Sequence, residues 1–167
     1  MATAPPADTE LTPVDGEARP LAEWLTTFRL VTVVIDPFTW ESAWILDTAG
    51  RVLRNFAEAD CRVSWLVTGD AAQARQFLGP WADEILTYVD PDRAVVKALG
   101  LEHLPALVHI AQDGNVIGAA EGWDAHEWSA IAHDLGRLLS WSTPVLPAAG
   151  DPGAFAGTPA LGAPPDA

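Results

Sequence analysis

The chain carries few residues whose chemistry could drive a reaction. There is one cysteine, Cys61. A lone cysteine closes no internal disulfide, and free cysteines commonly sit buried as small hydrophobes. Four histidines, His103, His109, His126 and His133, show no metal-ligand spacing. His126 and His133 stand seven apart on an expected helix, not in the i, i+4 pattern that grips zinc. No metal and no cofactor is expected. Asp36 and Glu41 flank a helix start, where carboxylates stabilise free amides electrostatically. A helix-capping role is expected for them rather than general-base chemistry. No G-x-S-x-G, Walker or dinucleotide-binding pattern is present.

Composition narrows the partners. The net charge is −14, with a pI near 4.3. Nucleic acids and anionic membranes need clustered Lys and Arg, so both are excluded as partners. No stretch approaches the ~20 apolar residues of a membrane span. The first twenty residues lack a basic start and an apolar core of signal-peptide length. A cytoplasmic protein is expected. The sequence says nothing of oligomeric state.

The elements must therefore position whatever chemistry exists. Residues 1–20 are rich in Pro, Ala, Asp and Glu and lack periodicity, so a disordered tail is expected. Leu21–Phe28 reads as a short helix. Leu30–Ile35 is apolar and β-branched, as suits a strand buried on both faces. A loop, Asp36-Pro37-Phe38-Thr39-Trp40, follows. From Glu41 a long helix places Ile45, Leu46, Ala49, Val52, Leu53 and Phe56 on one face. Gly50 in its middle costs about 1 kcal/mol relative to alanine. Arg62–Thr68 and Ile85–Val89 read as strands. Between them, Asp70 caps a helix over Ala71–Leu78 that Gly79-Pro80 ends. Asp90-Pro91 opens a short helix that Gly100 closes. Ala106–Ala111 and Asn115–Ala120 form a hairpin about Asp113-Gly114. Asp124 and Glu127 have capping-box spacing for a last helix. Residues 142–167 are rich in Pro, Gly and Ala and are expected to be disordered. One α/β domain over 21–141 results.

The order helix, Leu-Pro, strand, Asp-Gly turn, strand resembles the second half of the thioredoxin fold in its redoxin form. That branch includes the TlpA-type disulfide reductases and the peroxiredoxins. Val89-Asp90, Ala98-Leu99-Gly100-Leu101, Leu104-Pro105-Ala106-Leu107 and Asp113-Gly114-Asn115-Val116 carry the resemblance. The extra strand and helix before them match the redoxin branch. The resemblance implies a central mixed β-sheet flanked by helices, with Pro105 cis beside the active site. It implies a catalytic CxxC at the start of the first long helix, where Trp40-Glu41-Ser42-Ala43-Trp44 stands instead. Glu41 and Trp44 occupy the two cysteine positions, and neither does thiol chemistry. The peroxiredoxin register places Ser42 at the peroxidatic position. A serine hydroxyl cannot cycle through a sulfenic acid.

The expected function is binding by a redox-inactive thioredoxin-like domain. A protein or extended peptide would lie beside Pro105, pairing with the main chain of Leu104. Trp40, Trp44 and Trp123 would either fill space left by a remodelled site or supply aromatic contacts on the vacant face. Two other roles stay open: an atypical thiol oxidoreductase or peroxiredoxin-like enzyme relying on Cys61, and a structural subunit of an assembly.

Overall fold

The computed structural model describes residues 2–162. Its elements, in chain order, are β1 (Glu10–Pro13), β2 (Arg19–Pro20), α1 (Leu21–Trp24), β3 (Arg29–Ile35), α2 (Trp40–Phe56) and β4 (Cys61–Val67). Then come α3 (Ala71–Leu78), α4 (Trp81–Glu84), β5 (Leu86–Val89), α5 (Ala94–Leu99), β6 (His103–Leu104) and β7 (Ala106–Ile110). The chain continues through β8 (Val116–Glu121), α6 (Ala125–Leu139) and β9 (Thr158–Pro159).

Seven strands form one sheet in the order β2-β1-β5-β4-β3-β7-β8. β3, β4 and β5 run parallel, while β7 lies antiparallel to β3 and β8 to β7. The apolar run of β3 is explained by cover on both faces. Val31, Val33 and Ile35 point to the cluster built with α2, α3 and α6. Leu30 and Val34 point to the cluster built with α1, α5 and β1. The period-2 alternation of a strand thus feeds two cores.

Local signals position the connections. The Asp70 carboxylate accepts from the Gln73 N–H at 2.8 Å, and Gln73 Oε1 accepts from the Asp70 N–H at 2.9 Å, a reciprocal capping box. Asp124 accepts from the Glu127 N–H at 3.0 Å. Gly50 lies under Trp81: a Cβ there would sit 2.4 Å from the indole. The helix tolerates this glycine because the ring occupies the space of its missing side chain.

Asp90 acts differently from expectation. The helix begins at Ala94, not at Pro91, because Arg93 adopts a left-handed conformation (φ 57°). The buried Asp90 carboxylate reaches past this turn and accepts from the Val95 and Val96 N–H groups at 3.1 Å each. The expected short helix at Leu21–Phe28 contracts to the single turn of α1.

Both expected tails are corrected. Residues 2–20 are not disordered: β1 pairs antiparallel with β5, matching Thr12 to Val89 and Pro13 to Tyr88. Leu11 is buried against the second core. β5 would otherwise be an open edge, and main-chain pairing needs no side-chain periodicity. Residues 142–162 return across the domain and end in a strap, Pro152–Gly162, whose β9 pairs with β6. The same expectation for residues 163–167 lies outside the described residues. Among the described residues, no helix is long and apolar enough to cross a membrane.

Candidate functional site

The loop after β3 is built around a buried carboxylate. Asp36 accepts from the Phe38 N–H at 3.0 Å, which bends the chain back toward α2. Its other oxygen accepts from Arg93 Nη2 at 2.9 Å, and both side chains are largely buried. The Asp36 N–H donates to Ser42 Oγ at 2.9 Å. Ser42 is fully buried. Its hydroxyl staples the loop to the first turn of α2 and faces no solvent, so it offers no surface nucleophile.

This staple sends the intervening aromatic side chains outward. Phe38, Trp40 and Trp44 are 62%, 77% and 55% exposed. Trp40 and Trp44, four residues apart on α2, share one face. Ala43 is exposed beside them and Glu41 half-buried. An open groove between α2 and α3 continues the patch, lined by Phe38, Ala43, Leu46, Gln73 and Phe77. The sequence left open whether Trp40 and Trp44 face outward or fill a core; both rings lie exposed. Phe38 belongs with them and was missed. Its signal was available: an aromatic placed between Pro37 and the helix start has no buried phase to occupy.

The other expected contacts are already engaged. The Leu104–Pro105 peptide is cis. Leu104 is fully buried and its main chain pairs with Thr158 of the strap. Trp123, expected at an open face, is only 1% exposed. Its N–H donates to the Phe155 carbonyl at 2.8 Å and its Nε1 to the Pro152 carbonyl at 2.7 Å. The strap covers it, so Trp123 and the Leu104 main chain are unavailable to a partner in this state. Trp44 meets the strap edge-on, its ring 5.8 Å from that of Phe155.

Cys61 lies at the opposite end of the sheet. It opens β4, whereas the aromatic patch follows the last residue of the parallel neighbour β3. A seven-residue strand puts about 20 Å between them. The thiol is buried and donates to the Phe56 carbonyl at 3.4 Å. Burial pushes its pKa up to about 11, which the nearby Arg29 charge offsets only in part. A thiol so protonated is a poor nucleophile. His109 is also buried, with Nε2 accepting from Arg29 at 3.1 Å. Burial first, then the Arg29 charge, drives its pKa down to about 4. Among the described residues, no group of three His, Cys, Asp or Glu side chains converges to hold a metal.

Arg93 is a second residue that sequence reasoning missed. Besides Asp36, it donates through Nη1 to the Ala160 carbonyl at 2.7 Å. It therefore ties the loop carrying Phe38 to the end of the strap. Only a pairing between distant segments reveals this role. The strap's other end is fixed by Asp151, which receives two hydrogen bonds of 2.8 Å from Arg51 and one from Thr48. Those bonds hold the Asp151 carboxyl down to about 2.

Solved structures of thiol-redox proteins share this architecture. A putative thiol:disulfide interchange protein DsbE from Chlorobium tepidum superposes with a TM-score of 0.67 at 14% identity, over 83% of this chain and 98% of that one. A putative thioredoxin from Neisseria meningitidis gives 0.66 at 16% identity, over 84% and 93%. Peroxiredoxin Q from Xanthomonas campestris gives 0.61 at 16%, over 78% and 92%. The chain has a thioredoxin-like fold of the redoxin type, with a mixed central sheet flanked by helices. No family model matches the sequence, and neither does any curated protein.

Proposed function

We propose that this chain is a redox-inactive thioredoxin-fold protein that binds a protein or an extended peptide through its former active-site face. The observation that carries the reading is the exposed cluster of Phe38, Trp40 and Trp44 at the position where redoxins hold their cysteines. Large aromatics anchor interfaces because they bury much area for few rotatable bonds. A buried carboxylate and a buried serine hold the cluster outward, so its exposure is built into the loop. The net charge of −14, with Glu41 and Asp47 on the same helix, favours a partner segment that combines apolar anchors with basic residues. Support for redox inactivity comes from Glu41, Ser42 and Trp44 at the cysteine positions and from the burial of Cys61.

The test is affinity capture from the native host with wild type and with the Trp40→Ala/Trp44→Ala double variant. The expected result is a partner retained by wild type and lost by the variant. The variant should stay folded, losing much less than the 3–5 kcal/mol per ring that a buried aromatic costs. Equal capture by both proteins refutes the assignment of the patch. Insulin reduction and peroxide consumption, run beside a Cys61→Ser variant, test the redox half. Wild-type turnover that disappears in Cys61→Ser would overturn it.

A further inference from the structure

The strap occupies the strand position beside Leu104 and Pro105. β9 pairs with β6 in antiparallel register, matching Leu104 to Thr158 and His103 to Pro159. Phe155 and Trp123 exchange main-chain bonds of 2.9 and 2.8 Å. The Ala160 N–H donates to the Glu102 carbonyl at 2.9 Å, and Thr158 Oγ1 to the Leu104 carbonyl at 3.3 Å. The fit depends on two glycines. A Cβ on Gly157 (φ 91°) would meet the Leu104 carbonyl oxygen at 2.6 Å. A Cβ on Gly122 would meet the Phe155 and Ala156 carbonyl oxygens at the same distance.

What holds the strap is mostly backbone. Of its side chains, only Ala160 is fully buried, and Phe155 is half-buried against Trp44. Apolar burial is the main source of adhesion in proteins, and here it is small. Main-chain hydrogen bonds add about 0.5–1.5 kcal/mol each, and water or another strand can replace them. The segment is thus complementary in shape and held chiefly by polar bonds, those from Arg93 and Trp123 Nε1 to its carbonyls included, that the main chain of another strand could also accept or make.

We propose that Pro152–Gly162 is an exchangeable internal occupant of this groove. An external extended segment with the same pattern, an aromatic two residues before a glycine followed by Thr-Pro-Ala, takes its place when the strap leaves. The inference rests on the binding role proposed above and adds its control: the main-chain groove opens only on strap release, while the Phe38–Trp40 patch is open throughout.

The experiment uses the full chain and a labelled peptide of residues 152–162, followed by fluorescence anisotropy. Wild type should bind it at least about tenfold more weakly than Gly157→Val, because its own strap fills the groove. Phe155→Ala, which trims only a half-buried ring, should show a smaller gain in the same direction and decides the matter if Gly157→Val fails to fold. A peptide with valine at the Gly157 position should bind none of the three proteins. Equal binding to wild type and Phe155→Ala overturns the proposal. So does absence of binding to folded variants, and so does binding of the valine peptide. No arm uses the cellular partner, so failure here leaves the Trp40 and Trp44 assignment to stand or fall on capture alone.

Discussion

Alanine at Gly50 should destabilise this protein, although the usual arithmetic predicts the reverse. Replacing glycine by alanine inside a helix normally gains about 1 kcal/mol. A newly buried methyl would add about 0.8 kcal/mol. Here the new Cβ would lie 2.4 Å from Cζ2 and Cη2 of Trp81. Carbon atoms settle at about 3.5–4.0 Å, so ring and helix must part by more than about 1 Å. Trp81 has little room to yield. Its ring packs edge-on against the buried Trp65, 6.1 Å away, and the Arg54 guanidinium lies 4.6 Å over it. Arg54 is held in turn by the two hydrogen bonds it donates to the Glu84 carboxylate, at 2.7 and 2.8 Å. Overpacking of this kind costs about 1–3 kcal/mol and also forfeits the contacts that Trp81 makes with Trp65. With the Trp65 contact worth about 0.5–1.5 kcal/mol, costs of about 1.5–4.5 kcal/mol stand against gains of about 1.8 kcal/mol. The net loss centres on about 1 kcal/mol, or a fall in Tm of about 2–4 °C for a chain of this size. Urea denaturation of wild type, Gly50→Ala, Trp81→Leu and the double variant measures it as a cycle. The alanine should become neutral or stabilising once Trp81 is leucine. Stabilisation by Gly50→Ala in the wild-type background would refute the reasoning.

Two further outcomes follow from buried groups. His109 titrates near 4 when folded and near 6.5 when unfolded, so the unfolded chain binds more protons between those values. Its contribution is complete above about pH 6.5 and is lost as pH falls toward 4, by up to about 1.4 kcal/mol per pH unit. Denaturation of wild type and His109→Gln across that range should show the flatter profile in the variant, which keeps an acceptor for Arg29. Asp90, raised by burial, acts with the opposite sign but is common to both proteins. Parallel profiles would refute the His109 assignment. Cys61 should resist alkylation at neutral pH in the native state and react fully in denaturant; stoichiometric native labelling would restore a redox role to consideration.

Much of the fold was legible because its signals are local. The apolar run of β3, the Asp70 and Asp124 caps and the Asp113-Gly114 turn each act within a few residues. Asn115 N–H donates to the Asp113 carboxylate at 3.0 Å, and Gly114 takes φ 89°. The phase of α2 likewise sends Trp40 and Trp44 outward. The ends of the chain were illegible for the opposite reason. Thr12 meets Val89, and Leu104 meets Thr158, through main-chain bonds that any residue can make. Composition rich in Pro, Ala and Gly then reads as disorder. Trp123 was misplaced with them, since its cover is the strap itself. Arg93 was invisible because both its partners, Asp36 and Ala160, are far away in sequence.

The bidentate Arg51–Asp151 anchor has a concentration-dependent consequence. It fixes the residue just before the strap against α2, a short reach from the groove. A strand so tethered competes at an effective concentration in the millimolar range. A free peptide with equal contacts would have to approach that level before it filled half of the grooves. A ligand at lower concentration needs a second foothold that the strap does not use, and Phe38 and Trp40 are the exposed rings nearest that role. The tether would thereby select for partners that grip the aromatic patch and the groove together, and against those that offer a matching strand alone.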